Sequence, residues 1–262
     1  MDIYQTPPIY FSISLMILNK FMLINKNLFN NIFLDAGSLI GYERYGNYGI
    51  MPWDDDIDLG FIGDNNMILE MISNCLMNEL CIFMYYYEND IIKNKYIQLN
   101  EGLKNDINEL IFFNVSITRD KYIEILKKNN IDLLKMEYYD NDKKNIKIPW
   151  IDIFPYKKNN SFPIYYKYNH LFGASQKQHD QSYQGLLFNG FTIIQLHNID
   201  INIPINRKEY LLELYGNIYE EIEIYGPHHT QSINKIKIKN NNKILNFVSL
   251  YNMEIKKYNI II

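Results

Sequence analysis

The sequence predicts an α/β or α+β fold in which helices and strands are intermixed along one chain. Apolar residues recur at helical spacing in residues 10–30, short apolar runs are bounded by Pro or Gly, and no internal repeat or long linker divides the chain. With 262 residues, 47% of them hydrophobic, the chain can bury a core. We therefore expect one domain over residues 1–262, with residues 226–262 as a candidate C-terminal appendage.

Each element is predicted from a local pattern. The predicted helices are 10–30, 38–45, 66–80, 120–128 and 207–215, the last of which stops at Gly216, a residue type that often ends a helix. The predicted strands are 32–36, 56–62, 81–87, 95–100, 148–154 and 236–239, the last from its alternation of Ile with Lys. Residues 131–139 fit neither pattern clearly.

Composition narrows the functional classes. The net charge of −4 argues against a protein that binds nucleic acid by neutralising phosphates. The apolar run near the N-terminus is far shorter than the ~20 residues of a membrane span, and Asp2 stands where a signal peptide is usually positive. We expect no membrane span, no nucleic-acid partner and a cytoplasmic location.

An acidic cluster, Asp54-Asp55-Asp56-Ile57-Asp58, precedes an apolar run. On a strand, alternate side chains share a face, so Asp54, Asp56 and Asp58 would point one way and Asp55 the other. Crowded carboxylates repel one another unless cations neutralise them, and oxygen ligands suit Mg²⁺ or Mn²⁺. A solvated acidic loop is the alternative; a calcium-binding EF-hand loop would need Gly and Glu where Leu59 and Asn65 stand.

Gly37-Ser38 follows a predicted strand and opens a predicted helix. Helix N-termini present unpaired N–H groups that suit phosphate, and glycine allows close approach to the backbone. The structural alternative is an ordinary strand-to-helix turn with Ser38 as the N-cap. Arg44, on the same predicted helix, would pair with a phosphate or, alternatively, with a neighbouring acid.

Asp152 is the lone acid in the apolar segment Trp150-Ile151-Asp152-Ile153-Phe154-Pro155. A buried, unpaired carboxylate costs several kcal/mol. Either backbone donors satisfy Asp152, or it joins Asp56 and Asp58 as the third carboxylate of a metal site on adjacent strands.

Together these motifs resemble the signature of the LicD family, which includes bacterial phosphocholine transferases and is related to fukutin and fukutin-related protein. The resemblance rests on the segments Gly37-Ser38-Leu39-Ile40-Gly41, Arg44, Pro52 to Asp58 and Trp150 to Pro155, and more weakly on Ile203-Pro204 and the helix ending in Tyr215-Gly216. It implies a nucleotidyltransferase-like mixed sheet flanked by helices. It also implies divalent-metal-dependent transfer of a phospho-substituent, such as phosphocholine or a polyol phosphate, from a CDP-linked donor to a hydroxyl of a sugar or glycan.

The resemblance also implies residue roles. Asp56, Asp58 and Asp152 are the expected catalytic metal ligands with Mg²⁺ or Mn²⁺, and Asp54 is an additional candidate ligand. Gly37, Ser38 and Arg44 are the expected nucleotide- and phosphate-binding residues. The two cysteines are too few for a cysteine-rich zinc site, so no structural zinc is expected.

The sequence departs from the family pattern between Gly41 and Pro52, where Tyr42-Glu43 stands before Arg44 and the following loop is spaced differently. The alternatives are a nucleotidyltransferase acting on a small molecule, a non-catalytic nucleotide-binding protein of the same fold, and a glycosyltransferase with an Asp-x-Asp motif. The Gly-Ser turn disfavours the glycosyltransferase, and the presence of all three acids disfavours the non-catalytic protein.

Overall fold

The computed structural model describes residues 6–88, 91–98, 107–108, 110–131, 148–158, 164–167, 183–184, 190–218, 221–224, 236–239 and 242–258. The α-helices in that part of the chain are α1 (Pro8–Ile24), α2 (Ala36–Tyr45), α3 (Asn65–Met77), α4 (Arg119–Lys128), α5 (Arg207–Tyr215) and α6 (Asn242–Lys257). The strands are β1 (Ile32–Leu34), β2 (Ile57–Ile62), β3 (Cys81–Glu88), β4 (Ile91–Ile97), β5 (Leu110–Ser116), β6 (Trp150–Lys158), β7 (Ile164–Lys167), β8 (Tyr183–Gln184), β9 (Phe191–Leu196), β10 (Ile199–Pro204), β11 (Glu221–Ile224) and β12 (Ile236–Lys239).

One mixed sheet organises the fold, in the strand order β4-β3-β5-β6-β2-β1-β10-β9. The pairs β2–β6 and β1–β10 are parallel, and the other neighbours in that order are antiparallel. Strand β7 attaches to β6 and β8 to β7, while β11 and β12 form a separate two-stranded ribbon. Helices pack against this sheet, so the predicted α/β class is confirmed.

Helix α1 lies in the centre of the core. It begins with Pro8, whose fixed φ suits the first helical turn, and ends at Ile24, where the chain continues as a 3₁₀ helix through Asn31. Most of its residues are buried because it contacts β5, β6, α3 and α6. The predicted helix 10–30 therefore covers two elements. Among the described residues, no helix has both the length and the apolar character needed to cross a membrane.

Several elements lacked a clear pattern in the sequence. Strand β5 is buried at five of its seven positions, four of them consecutive from Leu110 to Phe113, so it lacks the two-residue alternation of a half-buried strand. The hairpin β9–β10 and helix α6 were also not predicted. Of the ambiguous segment 131–139, residues 132–139 lie outside the described residues, as do parts of the candidate appendage 226–262.

The segment before the acids packs closely on α2. A Cβ at Gly41 would lie 1.9 Å from the carbonyl oxygen of Gly49, and one at Gly49 would lie 2.5 Å from the backbone nitrogen of Tyr42. Only glycine permits this contact between the two backbones. The loop between Arg44 and Pro52, whose spacing departs from the family pattern, is thus held against α2.

Candidate metal and phosphate site

Three predicted acids meet at the start of two neighbouring parallel strands, with Asp56 directly before β2. Asp58 of β2 and Asp152 of β6 are direct register partners, so their side chains share one face of the sheet. Carboxylate oxygens of Asp56, Asp58 and Asp152 all lie within 4.8 Å of one another. Asp58 is 8% exposed and Asp152 9%, so this cluster sits at the edge of the core.

The remaining two acids lie in a turn before β2. The backbone N–H of Asp54 donates to the carbonyl of Met51 at 3.1 Å, and the strand begins only at Ile57. Oxygens of Asp54, Asp55 and Asp56 lie within 4.8 Å of one another. The prediction that Asp55 points away from the other acids is wrong, because the two-residue alternation of a strand does not apply in a turn.

Asp56 is common to both acid groups. Its burial and the negative charges of Asp58, Asp152, Asp55 and Asp54 hold its pKa well above the ordinary value of 3.8. Burial and these like charges both disfavour a fully charged cluster in the folded chain. Such a cluster of hard oxygen donors fits a divalent cation, because a cation would offset the repulsion between the carboxylates.

Gly37 and Ser38 connect the cluster to the first turn of α2. Ser38 Oγ accepts a hydrogen bond from the Asp58 backbone N–H at 2.9 Å, and the Ser38 backbone N–H donates to Asp58 Oδ2 at 3.3 Å. A Cβ at Gly37 would lie 2.9 Å from Asp54 Oδ2 and 3.1 Å from Asp58 Oδ2. The start of α2 therefore faces the carboxylates directly.

Helix α2 begins earlier than predicted, and Ser38 is not its N-cap. The helix starts at Ala36 with Asp35 in the N-cap position, and the predicted strand 32–36 ends at Leu34. Ser38 is the third helical residue, so its hydroxyl faces across to β2 and not back along its own turn. Alignment of β1 beside β2 produces this geometry, since the Asp35 N–H donates to the Asp58 carbonyl at 3.0 Å.

A buried network holds that turn in place. Asp35 is fully buried and accepts hydrogen bonds from the hydroxyls of Tyr156 and Tyr210, each at 2.7 Å. The two hydroxyls lie 2.9 Å apart. Burial, together with the Asp35 charge, raises the pKa of both tyrosines well above the ordinary value, so both remain protonated donors. Strand β6 and helix α5 are thereby tied to the start of α2.

Asn114 was not predicted as a site residue. It is the register partner of Asp152 in the antiparallel pair β5–β6, and its side-chain amide donates to Asp152 Oδ1. The sequence carries one signal for it, a lone polar residue between Phe113 and Val115, but that signal does not say which strand lies beside β5. The amide of Asn114 therefore holds the Asp152 carboxylate in place beside the other acids.

Arg44 makes described contacts away from the carboxylates. Its Nε donates to the Ile218 carbonyl at 2.6 Å, and Nη1 lies 3.9 Å from the Met51 sulfur. The preceding residue, Glu43, pairs with Arg207 of α5 at 2.6 Å. Both contacts join the end of α2 to the region around α5, and a phosphate-binding role for Arg44 remains a prediction.

The turn that carries Asp54 and Asp55, which we call the acid turn, contacts both the N-terminal segment and α6. Thr6 donates through its hydroxyl to the Asp54 carbonyl and through its backbone N–H to the Pro52 carbonyl, the latter at 2.7 Å. Asn252 donates to the Ile50 carbonyl at 2.8 Å, and Trp53 packs in a small apolar cluster with α6. Two chain segments distant in sequence thus fix the path of the acids.

A protein-family model matches the part of the chain that carries most of the candidate site. Residues 30–131 match the model of a family described as LicD/FKTN/FKRP, nucleotidyltransferase domain. The match covers β1, α2, the acid turn, β2 and β5, whereas Asp152 lies beyond its end. A search of curated proteins found no match. The predicted resemblance to the LicD family, whose members are generally transferases, is confirmed over these residues.

Proposed function

We propose that the protein is a divalent-metal-dependent transferase that moves a phospho-substituent, phosphocholine or a polyol phosphate, from a CDP-linked donor to a hydroxyl of a sugar or glycan. The observation that carries this proposal is the carboxylate cluster of Asp56, Asp58 and Asp152 facing the N-terminus of α2. The carboxylates can bind a cation, and the helix N-terminus beside them can bind an anion. Together they suit a phosphate that carries a bound metal ion. The LicD-family match supports the reaction class.

The donor set fits Mg²⁺ or Mn²⁺. Asp56, Asp58 and Asp152 would hold the metal, and the oxygens of Asp54 lie close enough to Asp56 to make it an additional candidate ligand. When bound, the divalent ions would neutralise charge on the phosphate oxygens and on the departing CMP. The raised pKa of Asp56 supports this, because the folded chain without a cation carries more negative charge here than it can readily accommodate.

The other residues bind and orient the donor. Gly37 leaves room at the turn, and the Ser38 hydroxyl, whose oxygen accepts from the Asp58 N–H, retains a proton to donate to a phosphate oxygen. The N-terminal dipole of α2 favours the same negative group. Arg44 is proposed to reach a donor phosphate after releasing its present contacts. Asp152 is proposed to accept the proton of the acceptor hydroxyl.

The binding half of this proposal can be tested without knowing the acceptor. Thermal unfolding is measured with CDP, CMP, UDP, GDP and ADP, each with and without Mn²⁺, because a ligand that binds only the native state raises the melting temperature. We expect Mn²⁺-dependent stabilisation that is largest for CDP and CMP. A clearly larger response to UDP or ADP would contradict the CDP donor and favour a nucleotidyltransferase acting on a small molecule.

The metal half is tested with Asp58→Asn. This variant should lose most of the Mn²⁺-induced stabilisation while the metal-free chain melts no earlier than the wild type, because one repelling charge is gone. The matched control is Asp200→Asn in β10, whose carboxylate accepts from exposed Gln195 at 3.2 Å and lies outside the acid cluster. A destabilised Asp58→Asn chain that keeps its full Mn²⁺ response would show that Asp58 is not a ligand.

A further inference from the structure

A line of side chains continues from the acids across the same face of the sheet. Asp58 pairs with Asp152, Asp152 with Asn114, Asn114 with Phe83, and Phe83 with Tyr96. Direct register partners on neighbouring strands place their side chains on a common face. The carboxylate cluster and the edge strand β4 are therefore joined by one continuous row.

Aromatic rings form one end of this row and continue beside it. Tyr85 and Phe112 stack with centroids 4.3 Å apart, and Phe112 lies 5.5 Å from Phe154. The Phe83 centroid is 5.1 Å from that of Tyr85 and 4.7 Å from that of Tyr96. We call these five residues (Phe83, Tyr85, Tyr96, Phe112 and Phe154) the aromatic strip.

The strip occupies the face opposite the core. Along β3, Ile82 and Met84 are fully buried, whereas Phe83 and Tyr85 between and beside them are only half-buried. Tyr96 on the edge strand is 68% exposed. Phe154 is also half-buried, and Phe112 is buried beneath its neighbours at 6% exposure. Partly exposed aromatic rings on an ordered sheet beside an acid cluster indicate a binding surface.

The strip reaches the candidate site along β6. Phe154 lies two residues after Asp152 on this strand, so the two side chains share a face. The Phe154 ring is 5.5 Å from that of Phe112, which stacks on Tyr85. A molecule resting on the strip therefore extends towards Asp152.

The strip and α2 lie on opposite sides of Asp152. Helix α2 contacts β2, and its N-terminus meets Asp58, whereas β5, β3 and β4 follow β6 in the other direction. Displacement at phosphorus brings the attacking oxygen in roughly opposite the departing one. If the nucleotide phosphates lie at α2, the attacking hydroxyl comes from the side of the strip.

The chemistry of the strip suits uncharged rings. Its described side chains are aromatic, with the amides of Asn114 and Asn94 among them, and strand alternation places Lys93 and Lys95 on the other face. Adjacent strands are about 4.8 Å apart, so the three steps from Asp152 to Tyr96 span about 14 Å. That distance exceeds a single nucleobase and matches two or more linked sugar rings.

We propose that the aromatic strip binds the sugar rings of an oligosaccharide acceptor and presents its terminal hydroxyl to Asp152. This inference rests on the proposed function, since it assigns the acceptor side of the same site. C–H groups on the sugar faces would pack on the rings, and the asparagine amides would hydrogen-bond to hydroxyls. The strip thus sets a preference for an acceptor longer than a monosaccharide.

The test uses the full chain and neutral probes. Binding of maltotetraose, cellotetraose, xylotetraose and chitotetraose, and of their monosaccharides, is measured by calorimetry with and without CDP and Mn²⁺. We expect at least one tetrasaccharide to bind more tightly than its monosaccharide. Tyr96→Ala should weaken that binding roughly tenfold, and Tyr96→Phe, which keeps the ring, should retain most of it.

Ile91→Ala is the matched control. Ile91 is 59% exposed on the same edge strand, and alternation places it on the face opposite Tyr96. It should change neither oligosaccharide nor CDP binding. The inference is overturned if no tetrasaccharide binds, or if Tyr96→Ala binds as tightly as the wild type. It is also overturned if Tyr96→Ala weakens CDP binding instead, since the strip would then hold the nucleobase. If the wild type binds a tetrasaccharide but does not respond to CDP with Mn²⁺, that result counts against the proposed function and not against the aromatic strip as a sugar-binding surface.

Discussion

Ser38 and Asp58 hold each other through two reciprocal hydrogen bonds: the Asp58 N–H donates to Ser38 Oγ at 2.9 Å, and the Ser38 N–H donates to Asp58 Oδ2 at 3.3 Å. One bond joins the backbone of β2 to the side chain of α2, and the other does the reverse. The carboxylate is therefore oriented by the same helix turn that is proposed to receive a phosphate. Changes on either side of this contact should affect both groups.

Ser38→Ala should lower both stability and nucleotide affinity. The Asp58 N–H would lose its side-chain acceptor, which costs about 1–3 kcal/mol for a buried donor. The melting temperature and the CDP-induced shift with Mn²⁺ check this. The control is Ser12→Ala, which removes a buried hydrogen bond to the Ile255 carbonyl far along the chain and should destabilise without affecting the CDP response. If both variants lose stability but neither loses nucleotide affinity, Ser38 has only a structural role.

Gly37→Ala should leave the chain folded but impair metal binding. The added Cβ would meet the side-chain oxygens of Asp54 and Asp58 at 2.9 and 3.1 Å, so the carboxylates would have to move. Rotating flexible side chains costs little, and alanine is a better helix former than glycine by about 1 kcal/mol. We expect a melting temperature close to that of the wild type and a reduced Mn²⁺-induced shift. An unchanged response to Mn²⁺ would mean that the acids tolerate this displacement.

Asn114→Ala should weaken Mn²⁺ binding by roughly tenfold or more, because residues that orient metal ligands typically contribute a factor of 10–100 in affinity. Without the amide of Asn114, Asp152 is no longer oriented towards Asp56 and Asp58. Mn²⁺ titration monitored by calorimetry checks this. Ser116→Ala is the control, because Ser116 lies on the same strand but donates to the Pro149 carbonyl at 2.6 Å. Equal effects of the two substitutions would indicate a general loss of β5–β6 packing.

Asp56→Asn should remove a pH dependence from the metal-free chain. Because the pKa of Asp56 is raised on folding, the folded chain holds this proton more tightly than the unfolded chain. The resulting stability is fully present below the ordinary pKa of 3.8 and is lost as the pH rises through the raised value. In chelator at neutral pH, the variant should melt higher than the wild type. A lower melting temperature at neutral pH would show that Asp56 is stabilised by its surroundings.

Tyr210→Phe should destabilise the start of α2. The variant removes one of two described tyrosine hydrogen bonds to the buried Asp35, and a bond to a charged group contributes about 1.5–3 kcal/mol. Chemical unfolding measures this loss. Tyr156→Phe should have a similar effect, and the double variant should deviate from the sum because the two hydroxyls lie 2.9 Å apart. Simple additivity would show that the tyrosines act independently.

Local pattern identified much of the scaffold and most of the candidate site. Helix α5 has the predicted bounds of 207–215 and is followed by Gly216 at a φ of 70°, a conformation that glycine adopts without strain. The acids Asp56, Asp58 and Asp152 were expected to converge, and they do. These features are readable because turn glycines, helix ends and crowded charges impose strong local constraints.

Other features depend on contacts between distant segments. Asp55 lies close to Asp54 and Asp56 because the chain forms a turn before β2, in which the Asp54 N–H donates to the Met51 carbonyl. The alternation of side chains on a strand cannot predict this turn. Helix α6 supports the acid turn through Asn252, about 200 residues along the chain from Ile50. Apolar spacing predicts that a segment is a helix or a strand, but the same spacing is compatible with packing against several other segments. The sequence pattern alone therefore does not predict which segments pack together.

The sequence by itself determined which chemical groups this protein can use: a Gly-Ser turn before a helix, crowded carboxylates, and a lone acid in an apolar strand. Only the tertiary structure decided where they meet. The parallel pairing of β2 with β6 sets Asp58 beside Asp152. The antiparallel pairings of β5, β3 and β4 add Asn114 and the aromatic strip to the same face. Residue types and their spacing are local properties, whereas strand order and register follow from the burial of the whole core.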